Sequence, residues 1–180
     1  ATYVDFMVLT EEMLTTVIRE VFGTHTTSYQ GQTIDWSRPW RRVTMNQVLV
    51  EYNCIAPERR KDLNYLRQRA KELGVEPQAD WSQGKIVTEI FESAVAPKLF
   101  QPTFVIDYPV DVSPLSRRKD DDPELVERFE LYVAGREVAN AFSELNDPLD
   151  QRERFEWQAR QKTEMGEVGQ IIDEDYLRAL

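Results

Sequence analysis

The stretch RFELYVAGREVANAFSE, residues 128–144, decides the fold. From Arg128 to Val133, and again from Arg136 to Glu144, apolar and polar residues alternate, the pattern of strands that bury one face. Ala134-Gly135 separates the two runs, and glycine readily supplies the positive φ that a two-residue hairpin turn requires. The spacing predicts an antiparallel hairpin in the middle of a sheet. Its polar content is unusual for that position.

On a period of two, Val138, Asn140, Phe142 and Glu144 fall on one face, which sets an amide, an aromatic ring and a carboxylate in a row. Such a row can recognise an amino acid. Lysine suits it, because a buried ammonium left unpaired costs on the order of several kcal/mol. Glu144 can supply the opposite charge, Phe142 an apolar or cation–π wall, and Asn140 a polar anchor for the α-substituents. Polar strand faces are also simply the wet side of a sheet, and the spacing leaves both readings open.

On the preceding strand Arg128, Glu130 and Tyr132 share a face, and Glu130 stands seven residues before Glu137. Carboxylates on paired strands can hold magnesium between them and ATP phosphates, since this ion takes hard oxygen ligands and keeps substrate oxygens among them. Surface glutamates are common, so a solvated alternative stands beside this one. A regular strand would also put Glu137 out of phase with Asn140, Phe142 and Glu144. A bulge near Val138 or Ala139 would return them to one side.

Outward from the hairpin, Thr103 to Ile106 reads as a buried strand. Before it, Val87, Ile90, Phe91, Ala94 and Val95 recur at helical spacing up to Pro97. Leu63, Leu66, Ala70 and Leu73 mark a charged helix from Glu58 to Leu73, closed by Gly74. Thr44-Met45-Asn46-Gln47 has the capping-box pattern and predicts a helix to Tyr52. Gln30-Gly31 predicts a short hairpin between 26–29 and 32–36. Leu14, Val17, Ile18, Val21 and Phe22 form the core stripe expected of a helix from Asp5 to Phe22, stopped by Gly23. On the other side, Asp147-Pro148 starts a helix to about Thr163, a glycine-containing loop follows, and Asp173 caps a last helix over 176–180. Asp120-Asp121-Asp122 lacks the alternate spacing of a calcium loop and reads as solvated.

Composition narrows the function classes. A net charge of −10 argues against this stretch as the main platform for a polyanion, but it suits a site for a cationic substrate and divalent metal. One cysteine and one histidine exclude a multi-cysteine zinc site or a disulfide framework within the 180 residues and fit a reducing compartment. No apolar run approaches a membrane span, so no membrane role is expected.

The runs RFELYVAGRE (128–137) and VANAFSELNDP (138–148) resemble the metal-binding and amino-acid-binding strands of class II lysyl-tRNA synthetases. QPTFVIDYPVDVSPLSRR (101–118) resembles the family's preceding strand and loop, and KIVTEIFE (85–92) its preceding helix. The resemblance extends along essentially the whole chain. It implies an α+β fold, a mostly antiparallel class II synthetase sheet flanked by helices and incomplete in this stretch. Residues 1–180 would be part of one catalytic domain, with a small helical insertion at about 44–97.

The same resemblance implies that Glu130 and Glu137 are magnesium and ATP-site carboxylates. It implies that Asn140, Phe142 and Glu144 contact lysine, with Glu144 facing the ε-ammonium. Ala141 stands where many members carry glycine, which keeps the side chain small. Magnesium as cofactor, ATP, lysine and lysine tRNA as substrates, a cytoplasmic homodimer and tRNA contacts mostly outside this stretch are the further expectations. The first and third family motifs and most of the second are absent, so the segment alone is expected to be inactive. Two alternatives stand beside this reading: a related ligase that attaches lysine to elongation factor P, and a non-catalytic binding segment.

Overall fold

The computed structural model describes residues 1–164 and 172–179, so the glycine-containing loop at 165–171 and Leu180 lie outside the described residues. Helix α1 (Tyr3–Phe22) begins two residues before the expected Asp5, because the Asp5 carboxylate accepts the Thr2 backbone N–H at 2.7 Å. Gly23, at φ 68°, turns the chain out of the helix while its N–H bonds the Arg19 carbonyl at 2.8 Å. Met7 and Glu11 are buried, and Leu14 and Ile18 pack partly against the core. The expected stripe is only half correct, since Val17, Val21 and Phe22 are 50%, 67% and 59% exposed. Val17 sits on a flank rotated away from the buried line, whereas Val21 and Phe22 fall in the last turn of the helix, and neither core cluster of the described residues includes them.

Strands β1 (Thr26–Tyr29) and β2 (Gln32–Asp35) pair antiparallel around Gln30 and Gly31, both at positive φ, as the tight turn requires. The main sheet runs β3 (Arg41–Thr44), β4 (Thr103–Pro109), β5 (Leu125–Val133), β6 (Arg136–Phe142) in spatial order. β3 lies parallel to β4, and the other neighbours are antiparallel. The hairpin of β5 and β6 is therefore not central. Among the described residues β6 is the sheet's edge, a correction to the expected position.

Between β3 and β4 the chain crosses over through α2 (Met45–Glu51), α3 (Leu63–Glu72) and α4 (Gln83–Ala94). The capping box of α2 is formed: Gln47 N–H donates to Thr44 Oγ1, and Thr44 N–H to Gln47 Oε1, both at 3.0 Å. α3 starts later than its charge pattern suggests, because Asp62 Oδ1 accepts the Tyr65 N–H at 3.0 Å and sets the cap. Leu63 consequently lies in the first turn and is exposed, whereas Leu66 and Ala70 are buried. After β6 come α5 (Pro148–Glu164) and α6 (Glu174–Ala179).

The sheet separates two apolar cores. Phe104, Phe129, Leu131 and Val133 point toward α1 and the two tryptophans Trp36 and Trp40. Val105, Tyr108, Val126 and Tyr132 point toward α2, α3 and α4, joining Leu66, Ile86, Ile90 and Phe91. Alternation on β5 thus sends Phe129 and Leu131 into one core, and Arg128, Glu130 and Tyr132 to the other side. The turn of the hairpin is tightly seated: a Cβ on Gly135 would stand 2.7 Å from the Pro97 carbonyl oxygen. Glycine is needed there for space as well as for its φ of 71°.

Candidate functional site

Phase decides which side chains can meet on this hairpin. Glu130 pairs with Asn140 and Leu131 with Ala139, but Tyr132 pairs with Glu137. Val138 is the extra residue, half exposed and without an opposite number. This bulge lies where the parity of the carboxylates demanded one, and it returns Glu137 to the face of Glu130, Tyr132 and Asn140.

Glu130 occupies the centre of that face and is only 6% exposed. Its Oε2 accepts the hydroxyls of Tyr108 at 2.7 Å and Tyr132 at 2.6 Å, while Oε1 accepts Arg128 Nη2 at 2.6 Å. A buried charge of this kind is tolerated because each of its oxygens is hydrogen-bonded. Burial first, and then Glu130 through its charge and its hydrogen bonds, push both tyrosine hydroxyls above their ordinary pKa. They therefore stay neutral and continue to donate.

Arg128 spreads its guanidinium across the site. Nε donates to Asn140 Oδ1 at 3.2 Å, Nη1 to Ser113 Oγ at 2.8 Å, and the plane lies over the Tyr108 ring, 4.7 Å from its centroid. Burial first, and Glu130 second, raise the Glu137 carboxyl above the usual carboxylate range, with Asn140 and Arg128 opposing the rise. From α4, Glu92 faces the same charges: burial, Glu89, Glu130 and Glu137 raise it, and Lys85 opposes them.

β6 ends at Phe142, short of the expected Glu144. Beyond it Glu144 forms an isolated bridge with Ser116, flanked by the buried Ser143 and Leu145. Arg117 N–H to the Ser143 carbonyl at 2.8 Å and Leu145 N–H to the Leu115 carbonyl at 3.1 Å hold the segment extended. Glu144 itself is exposed, and among the described residues no hydrogen bond or ion pair engages its side chain. Phe142 is half-buried opposite Arg128.

The sequence matches the model of the class II tRNA synthetases (D, K and N) over residues 1–180. The chain belongs to that family. Among similar proteins, it is 46% identical to a lysine–tRNA ligase of Magnetococcus marinus, covering 99% of this chain and 36% of that protein. It is 45% identical to one of Moorella thermoacetica, over 100% of this chain and 37% of the relative. Against one of a Nostoc species the identity is 49%, over 100% of this chain and 32% of the relative. The chain thus spans about a third of the length of the curated relatives it matches.

In this synthetase segment the donors fit a hard cation. Glu130 uses three of its roughly four lone-pair positions on protein donors, which leaves about one for a further ligand. The Glu130 charge, second to burial, raises the Glu137 carboxyl, and a cation would offset that repulsion. Among the described residues no three acidic, histidine or cysteine side chains converge on one point, so remaining ligands would come from substrate or water. The structure brings together Glu130, Glu137 and Asn140, sets Phe142 beside them, and leaves Glu144 beyond the strand end. Sequence reasoning had not assigned Tyr108, Ser113 or Glu92 to this face. Tyr108 and Ser113 come from β4 and its following loop, and no local spacing announces contacts between strands so far apart in the chain. Glu92 sits in the recognised run KIVTEIFE, one residue past the buried Phe91, but α4 also carries Lys85 and Glu89, so its spacing did not single Glu92 out.

Proposed function

We propose that this chain is part of a lysine–tRNA ligase, which joins lysine to ATP and then to its tRNA. The observation that carries the reading is the bulge at Val138, which gathers two carboxylates and an amide on one face. It does so in a chain 45–49% identical to lysine–tRNA ligases over nearly its whole length. In this reading Asn140, Phe142 and Glu144 receive lysine: Asn140 toward the α-substituents, Phe142 as the wall along the methylenes, Glu144 opposite the ε-ammonium. The unpartnered Glu144 suits that role, since a carboxylate already ion-paired within the protein would have to break that pair first.

The lysine carboxylate attacks the α-phosphate of ATP, pyrophosphate leaves with the broken phosphorus–oxygen bond, and lysyl-adenylate forms. A terminal tRNA hydroxyl then takes the lysyl group and releases AMP. Glu130 and Glu137 would hold magnesium, which neutralises triphosphate charge when bound. This chain's own residues orient the amino acid and keep the carboxylate face rigid, so their contribution is positioning and charge stabilisation. Residues 44–97 are read as a helical insertion in the catalytic domain, whose helices pack against one face of the sheet. A cytoplasmic homodimer, with tRNA held mostly by other parts of the protein, completes the proposal. No helix among the described residues is long and apolar enough to cross a membrane.

Lysine-dependent exchange of pyrophosphate into ATP tests the reading on the full-length protein. Exchange with lysine, followed by lysyl transfer to tRNA, is expected, while residues 1–180 alone are expected to be silent. Exchange driven by another amino acid, or lysyl transfer to a protein acceptor only, would overturn it.

A further inference from the structure

The side chain that joins the two halves of this face is neither of the glutamates nor the asparagine. Arg128, with 17% of its side chain exposed, touches β5, β6 and the loop after β4 at once. Its three nitrogens are divided among a carboxylate, an amide oxygen and a hydroxyl, a planar fork that no other side chain reproduces. Asn140 has a free choice of amide orientation on an exposed strand edge. Here the choice is made by Arg128: a guanidinium only donates, so it must face Oδ1. Nδ2 is thereby turned away from the guanidinium, where its two hydrogens can face a ligand.

We propose that Arg128 is a positioning residue that orients the Asn140 amide as a donor to the amino-acid substrate and ties it to Glu130. The inference rests on the lysine-ligase reading. An acceptor oxygen, such as that of the substrate carboxylate, is what the oriented amide can bind. Its position is coupled through one guanidinium to the carboxylate on the nucleotide side. Lysine affinity should therefore depend on Arg128 even though the same charge repels the lysine ammonium.

A double-mutant cycle in the full-length protein tests this, with lysine binding measured by calorimetry without ATP or magnesium. Arg128→Met and Asn140→Ala should each weaken lysine binding about tenfold, and the double variant scarcely more than either alone. Arg128→Lys keeps the charge and the fold but not the fork, so its lysine affinity should stay low, and Asn140→Ala should add little in that background. If Arg128→Met does not fold, the Lys variant carries the cycle. Fully additive losses, about a hundredfold in the double variant, overturn the positioning role while leaving the ligase reading intact. A folded parent protein that binds no lysine overturns both.

Discussion

β5 and β6 are neighbours of similar length that carry complementary chemistry in opposite conditions. On β5 the charge is buried and both of its oxygens are engaged: Glu130 is 6% exposed and accepts three donors. On β6 and just past it, Glu137, Asn140 and Glu144 are exposed. β5 shows how a fold pre-pays desolvation to hold one carboxylate still, and β6 shows side chains left available to a ligand. The former should govern stability and the latter binding.

Breaking the buried side should have the largest effect on folding. Glu130→Ala strands the Arg128 guanidinium and two tyrosine hydroxyls, and it should cost about 3 kcal/mol in denaturant unfolding. A loss below roughly 1 kcal/mol would show that the network is no more than a wet surface pair.

A smaller loss is expected where α5 is pinned to the loop before β5. Asp150 accepts Arg154 Nη2 at 2.7 Å and Arg118 Nε at 3.3 Å. The Arg154 hydrogen bond chiefly, with Arg118 assisting, lowers the Asp150 carboxyl below its ordinary value of 3.8. A lowered folded pKa means that this stabilisation is complete above 3.8 and is lost as pH falls through the folded value. Asp150→Asn should therefore cost about 1 kcal/mol at pH 7 and flatten the acid limb of the stability profile below about pH 4. An unchanged acid limb would remove Asp150 from the account.

Within the Glu130 cluster, Tyr132→Phe deletes one of three donors and should cost about 1 kcal/mol at neutral pH by thermal or urea melting. At the exposed end, Glu144→Gln should shift unfolding by less than about 0.5 kcal/mol. A larger shift would mean that Glu144 is as structural as Glu130, and the contrast between the strands would collapse.

Much of this contrast is local and so was legible in the sequence. The hairpin, the capping box at Thr44 and Gln47, and the need for a bulge near Val138 all follow from spacing over a few residues. What escaped depends on distant parts of the chain. The four-residue β3 is a strand because β4, some 60 positions later, pairs with it in parallel. Tyr108 and Ser113 reach the site only once β4 lies beside β5. The half-exposed stripe of α1 escaped for a different reason, since helical periodicity tells which residues share a face but not how much of that face is covered. The roles proposed for Glu130, Glu137, Asn140, Phe142 and Glu144 came from their resemblance to a family, whereas the face that unites the first three came from the register.

Glu144→Gln in the full-length protein, assayed for lysine-dependent pyrophosphate exchange, tests the central claim most directly. The account predicts that the lysine concentration needed for half-maximal exchange rises about a hundredfold, because an ammonium loses its charged partner while the fold is unchanged. A variant that folds normally and activates lysine at the parental concentration would contradict it.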